Sequence, residues 1–422
     1  MKTIMRTIRM ASLCALVSFC AICAEAKSKH IHDGQVYHAV VAKDGTGDFQ
    51  TIQEAVDAAP ENRDQPWRIL IKKGLYVEHV EIPSEKPYLC LIGEGRGKTQ
   101  ISFNRLCGGP TGVKVEQGAT VTAFATDLYF EGIDFINSYG HEQLDGPQAL
   151  ALYTANDRVV LNRCGLLSLQ DTWLTAFSRP NLRHYALRCL IEGAVDFIYG
   201  QGNVFFDSDT LRIMRKKNGY IVAPNHHADT KWGYVFHNNV ITAPGDAIET
   251  WVYLGRPWHA NPKVVFINTR ADVTLPPEGW YHHMGGLPIV FAEYNTTDWK
   301  GHPLDLSRRC SRYWVQNEEK DTVWCTSKAV ITADEAALYT VENVLSGDDG
   351  WQPGEVVRGC DKPIVGVMGK HLVWQPVKDA VGYVIIDKGE IVGFTNECRY
   401  KYSRKHDYKV LAVNKWGAMG KQ

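Results

Sequence analysis

The chain has 422 residues, of which 45% are hydrophobic and 22% charged, the make-up of a folded protein and not of a disordered one. Its 46 basic and 47 acidic residues nearly cancel, which excludes a sequence-wide field that would recruit nucleic acid or anionic lipid. At this length two to three domains are expected.

Lys2, Arg6 and Arg9 precede an apolar run, Met10 to Ala24, that ends in Ala24-Glu25-Ala26. Basic residues, an apolar stretch and a small-x-small site predict a cleaved export signal over residues 1–26. The run is too short to span a bilayer and no second one follows, so an exported protein without a membrane span is expected, whether periplasmic, surface-bound or secreted. A lipoprotein would need a small residue before its cysteine, whereas Phe19 precedes Cys20 and Ile22 precedes Cys23. Eight cysteines remain after cleavage, too few for a disulfide-built scaffold.

Thr51-Ile-Gln-Glu54 is a capping box opening a short helix to Ala59, with Ile52, Ala55, Val56 and Ala59 on one face. From Arg68 the pattern becomes one of short strands, at 68–72, 88–92, 99–103, 112–115, 120–123 and 128–137. No other long helix signal appears before Asp334-Leu338, which is expected to cap the far end and cover its edge. Arg163-Cys164 and Arg188-Cys189 recur 25 residues apart, and each is followed seven residues after its cysteine by an aspartate, Asp171 and Asp196. That period is one coil of a parallel β-helix, in which equivalent residues stack about 4.8 Å apart. Cys164 and Cys189 then stack either as buried small side chains or as a disulfide.

A second module is expected over residues 363–422, where Leu372 to Pro376, Gly382 to Ile386, Glu390 to Phe394 and Tyr408 to Val413 alternate like sandwich strands. It resembles a bacterial fibronectin type III domain, shortened by an edge strand, and reads better as a spacer packed on the first module than as a sugar binder.

Chemistry concentrates where the two aspartates stack. Gln170 adjoins Asp171, Gln148 lies one coil earlier, and Arg256 sits in the rigid loop Tyr253-Leu-Gly-Arg-Pro-Trp258. A carboxylate beside a guanidinium stays ionised, while a neighbour crowded by that charge and poorly solvated keeps its proton. Amide N–H groups stabilise a developing oxyanion without adding charge. Such a set serves acyl transfer through a carboxylate nucleophile or glycoside cleavage by two acids.

Gly146-Pro-Gln-Ala-Leu-Ala-Leu152, Leu169-Gln-Asp-Thr172, Val195-Asp-Phe-Ile-Tyr-Gly200 and Leu254-Gly-Arg-Pro-Trp258 together resemble the pectin methylesterase family in order and spacing. Asp44-Gly-Thr-Gly-Asp-Phe49, Gly74-Leu-Tyr-Val-Glu78, Phe291-Ala-Glu-Tyr-Asn295 and Val341-Glu-Asn-Val-Leu345 extend the resemblance over residues 37–358. It implies an all-β, right-handed parallel β-helix, followed here by the small sandwich, that removes methyl esters from galacturonan without metal or cofactor. Carried over, Asp196 is the nucleophile, Asp171 the general acid and base, Gln148 and Gln170 the oxyanion donors, and Arg256 the partner that keeps Asp196 charged. The implied sugar-contacting set is Trp258, Tyr199, Phe197 and Trp173, and the implied partner is methyl-esterified pectin or a pectic oligosaccharide bound by a monomer. A pectate lyase or glycosidase on the same scaffold, or a silent pectin-binding protein, are the alternatives; a lyase would need calcium-binding acidic clusters, which the sequence lacks.

Departures from the family pattern matter. The ring that commonly follows Gln-Asp-Thr-Leu stands one place early, at Trp173, which in a strand turns it to the other face. Tyr199 replaces the usual phenylalanine and adds a hydroxyl suited to a sugar. Pro277–Gly286 reads as a cleft-edge loop that shapes substrate choice. Tyr76 and Glu78 read as structural, and His226-His227 and His282-His283 as surface loop residues without the partners a metal needs.

Overall fold

The computed structural model describes residues 35–108, 111–141, 148–176 and 179–420, so the predicted export segment, Gly146 and Pro147 lie outside the described residues. Within them the coil repeat has a local cause. Each coil turns its sharpest corner on one residue in the left-handed region, and Gly132 (φ 64°), Arg163 (54°), Arg188 (53°), Ser208 (58°), Asn238 (58°), Asn268 (53°) and Asn295 (55°) occupy that corner in succession. Asparagine tolerates this conformation well, and the last three also form an amide ladder: Asn268 Nδ2 donates to Asn238 Oδ1 at 3.2 Å and Asn295 Nδ2 to Asn268 Oδ1 at 2.9 Å. The Arg163/Arg188 recurrence in the sequence is this corner.

Around the corners run three parallel sheets. One has ten strands, from Ala39–Val41 to Val290–Tyr294; the second has nine, from Gly74–Val77 to Thr297–Asp298; the third has seven, from Val80–Ile82 to Val252–Gly255. Successive coils stay in register, with Asn162 opposite Leu187 and Gly165 opposite Leu190. Parallel strands buried on both faces read as apolar runs, and the interior is lined by columns of like side chains. Phe206, Phe236 and Phe266 stack with ring centroids 4.2 Å apart at each step. Cys164 and Cys189 belong to the same interior and are free thiols, so of the two readings the structure takes the apolar stack.

Thr51 caps the helix Ile52–Ala58 with both capping-box bonds made. Glu78, read as structural, accepts from the Ile52 and Gln53 amides at 3.0 Å each. Two expected strands differ. Residues 128–137 divide into Leu128–Glu131 and Asp134–Asn137 because Gly132 makes a corner, and the strand expected at 112–115 gives way to a helical turn, Val115–Gly118, after Gly112 bends the chain at φ 70°.

At the far end, the last strand of the ten-stranded sheet is covered by residues 329–331, where Ile331 N donates to Glu293 O at 3.1 Å. The helix expected to cap that end, Ala333–Ala336, instead starts a return path with Val341–Leu345 and Pro353–Val357. Val344, Leu345 and Val356 pack on Val160, Tyr185 and Phe205, the outer face of the ten-stranded sheet. Two three-stranded antiparallel sheets follow within residues 366–413, around Leu372, Trp374, Tyr383, Ile385, Val410 and Ala412. The opposite face of one of them, through Val384, Ile386, Leu411 and Val413, joins Tyr37, Leu70, Ile92 and Tyr129 of the β-helix in one apolar cluster.

Glu293, fully buried, is held by Arg309, whose Nε donates to Oε1 at 2.6 Å and whose Nη1 donates to the carbonyls of Pro276 and Pro277. Removing one partner of a buried pair strands the other charge. Arg309→Ala is expected to cost about 3–5 kcal/mol in chemical denaturation; a loss under about 1 kcal/mol contradicts this account of Glu293.

Candidate active site

The seven-stranded sheet carries the two aspartates on its outer face. Gln148 bridges Gln170, and Gln170 bridges Val195, so Asp171 and Asp196 are neighbours across adjacent strands, about 4.8 Å of strand spacing apart. Both adopt positive φ, 62° at Asp171 and 49° at Asp196, which a short polar side chain tolerates. Asp196 also sits in a bulge: Val195 faces Tyr220 while Ile198 faces Val222, leaving two residues opposite one. Bulges of this kind re-aim a side chain, and here Phe197 goes into the core while Asp196 stays out.

The carboxylates are only 6% and 5% exposed. Arg256 grips Asp196 with two nitrogens, Nε to Oδ1 at 2.8 Å and Nη2 to Oδ2. The guanidinium lies 4.4 Å from the centre of the Tyr220 ring, and Tyr220 stacks on Tyr253 at 5.5 Å. Burial raises the Asp196 pKa above the ordinary value, and the Arg256 bonds and charge oppose that rise. Asp171 is pushed well above the ordinary carboxylate range, first by burial and then by the Asp196 charge, with hydrogen bonds from Gln148 and Gln170 acting the other way. The pair is therefore unequal: Asp196 is ion-paired with Arg256, and Asp171 is the carboxyl pushed further toward its protonated form. Gly108 (φ 73°) packs against Gln148, and a Cβ there would collide with Oε1 of the amide.

The structure thus brings together Asp171, Asp196, Arg256, Gln148 and Gln170. Tyr199 and Trp258 lie beside them, ring centroids 5.6 Å apart, in an outer apolar cluster with Leu150, Tyr153, Leu174 and Ala223. The Tyr199 hydroxyl is buried with no hydrogen-bond partner among the described residues. Two expected contacts are corrected: Trp173 and Phe197 are fully buried in the interior, and Trp173 Nε1 donates inward to Thr154 Oγ1 at 3.0 Å. Strand alternation sends Trp173 to the core and leaves Leu174 on the ligand side, while the bulge after Val195 puts Phe197 inside.

His226, expected on the surface, is buried; its Nδ1 accepts from Lys263 N at 3.0 Å, and burial drops its pKa to about 3. His227 and His282 are exposed. Among the described residues no three His, Cys, Asp or Glu side chains converge to hold a metal ion. Trp280 of the expected cleft-edge loop is core, stacked on Phe291 at 4.4 Å, while Tyr281 meets Tyr220 and Tyr253 edge-on at 5.6 Å. Sequence reading missed Tyr220 as the aromatic behind Arg256; its signal was its place one coil period after Val195, which it pairs with.

The family model described as Pectinesterase matches residues 38–348. "Probable pectinesterase 29" of Arabidopsis thaliana is 30% identical over 327 residues, covering 73% of this chain and 91% of that protein. "Probable pectinesterase/pectinesterase inhibitor 17" of the same plant is 32% identical, covering 76% of this chain but 59% of the longer relative. Among solved structures, pectin methylesterase from carrot superposes with a TM-score of 0.60 at 26% identity over 74% of this chain and 94% of that one. A pectin methylesterase from Erwinia chrysanthemi gives 0.57 at 25% identity over 75% and 98%. With its β-helix matched along nearly its whole length, the chain belongs to the pectinesterase family.

Proposed function

We propose that the protein is an exported carboxylic ester hydrolase that removes methyl esters from the galacturonate units of pectin and releases methanol. The observation that carries this reading is the unequal aspartate pair, with Arg256 bonded to Asp196 and two glutamine amides on Asp171. A pectin methylesterase solved in complex with a hexasaccharide, 25% identical with a TM-score of 0.56, supports an oligosaccharide ligand for this cleft. Residues 363–422 are read as a fibronectin type III-like sandwich serving as a packed spacer.

In the proposed reaction an ionised Asp196 oxygen attacks the ester carbonyl carbon, and the carbonyl π pair moves onto oxygen. Gln148 and Gln170 N–H groups stabilise that oxyanion. The intermediate collapses, the C–O bond to the methoxy group breaks, and Asp171 gives its proton to the departing oxygen, leaving an acyl-enzyme anhydride and methanol. Asp171, now a base, takes a proton from water as the water attacks the acyl carbon. Asp196 leaves as carboxylate, Asp171 is again protonated, and the galacturonic acid formed gives its remaining proton to solvent to become galacturonate. Arg256 keeps Asp196 ionised and oriented at the start of each cycle, and the Tyr220 ring backs the guanidinium.

Methanol release from highly methylated pectin, with chelator present and absorbance followed for unsaturated ends, tests the reading. The wild type is expected to release methanol without unsaturation, and Asp196→Ala to lose about 10⁴-fold or more. Methanol formed equally by both proteins, or unsaturated product, contradicts it.

The pH profile follows from the pair. Asp196 works ionised, so activity falls as pH drops through the lower apparent pKa; burial places that limb above the free aspartate value of about 3.9. Asp171 works protonated, so activity falls again as pH rises through the upper apparent pKa. Arg256→Ala is expected to move the acid limb to higher pH. A rate flat from about pH 4 to 9 contradicts the division.

Gly108→Ala should displace the Gln148 amide and lower kcat by about 10²-fold while the protein stays folded. An unchanged kcat contradicts an oxyanion role for Gln148.

A further inference from the structure

The outer face of the seven-stranded sheet continues past Val252–Gly255. Gly255 bridges Trp280, His283 bridges Trp314, and Trp314 pairs with Trp324 in an antiparallel hairpin of Arg312–Gln316 and Thr322–Thr326. Residues paired across a ladder share a face. Trp280 and Tyr313 are fully buried in the core, so alternation turns Tyr281, Trp314 and Trp324 outward, to the side of Asp171 and Asp196. The rings form one unbroken file. Tyr281 touches Tyr253 at 5.6 Å, His283 touches Tyr281 at 5.1 Å, Trp314 lies 4.3 Å from His283 and nearly parallel to it, and Trp324 follows at 6.3 Å. From Tyr220 to Trp324 is four strand spacings, roughly 19 Å.

The end of the file is built to meet something. Trp324 is 51% exposed although its ring is fixed under Arg312, whose guanidinium is 4.7 Å from the ring centre. Arg312 pairs with no carboxylate among the described residues. Exposed, immobilised aromatic rings mark recognition surfaces. A pyranose presents apolar C–H faces that stack on such rings, and a uronate adds a carboxylate for a guanidinium. The file is continuous with the ring that backs the catalytic Arg256, which argues for the same polymer as occupant.

Resting on the function proposed above, we propose that this hairpin is a distal binding surface for the pectic chain, several sugar rings from the ester being cut. Trp324 and Trp314 stack on pyranose faces there, and Arg312 takes a galacturonate carboxylate already free of its methyl group. The surface makes the enzyme selective for long chains.

The test compares kcat/KM on methylated polymer and on a methylated trisaccharide. Trp324→Ala is expected to lower the polymer value about tenfold, through KM, and so collapse the polymer-to-trisaccharide ratio. Trp324→Phe, which keeps a flat ring, should restore most of it. Trp299→Ala, an equally exposed tryptophan (51%) away from the file, should leave the ratio as in the wild type. Equal losses on both substrates, or an unchanged ratio, overturn the proposal. Retardation in a pectin-containing native gel reads the surface without turnover: Trp324→Ala and Arg312→Ala should migrate faster than the wild type. If the wild type is retarded but releases no methanol, the esterase reading fails while the surface stands. A dimer lost in Trp324→Ala, with unchanged mobility in pectin, gives the strip to a second copy of the chain and overturns the proposal.

Discussion

Two carboxylates one strand spacing apart and nearly dry cannot both ionise without a cation beside them. The whole molecule is arranged around that constraint. Coil-by-coil register sets Asp171 next to Asp196, left-handed backbone at both and a bulge at Asp196 turn the side chains out, and a loop two strands on returns Arg256 to one of them only. The asymmetry is what makes the pair useful: with Arg256 on both or on neither, the two groups would share one role. Tyr220 completes the arrangement by presenting its ring face to the guanidinium, an attraction of up to about 2 kcal/mol when desolvated.

The three sheets have different fates, and that difference decides where a ligand can lie. The ten-stranded sheet is covered outside by the returning helices and by the C-terminal sheets through a continuous apolar cluster. The seven-stranded sheet keeps an outer face of aspartates, glutamines and rings. A solenoid stacks equivalent residues, so an open face becomes a line of similar side chains along the axis, a shape suited to a linear polymer. The C-terminal sheets pack on the ten-stranded sheet and not on that line.

Much of this was legible in the sequence. The 25-residue recurrence disclosed the coil because equivalent positions of successive coils meet the same corner, and the stacking of Asp171 on Asp196 followed from the same spacing. The ring at Trp173, one place early, does turn to the other face, but it was also counted among the sugar contacts, and its burial in the core rules that out. Phe197 was misplaced because a bulge breaks period-two counting, and no residue of Val195-Asp-Phe-Ile announces it. His226 looked like a surface loop residue because its burial depends on Lys263 and Tyr234, which arrive from later coils. The Tyr220–Arg256 contact joins adjacent coils separated by a longer stretch of chain than the coil before, and the path of the late helices over the ten-stranded sheet depends on apolar residues exposed only once the coils have formed. Local periodicity gives coils; it does not give what folds back on them.

The claim on which the account rests is the unequal protonation of the pair. Carboxyl resonances of ¹³C-labelled aspartate, assigned with Asp171→Asn and Asp196→Asn, read it directly at the pH of maximal turnover. The account predicts a protonated Asp171 beside an ionised Asp196, with Asp196 taking up a proton at that pH in Arg256→Ala. Two ionised carboxylates, or a proton residing on Asp196 in the wild type, would contradict it.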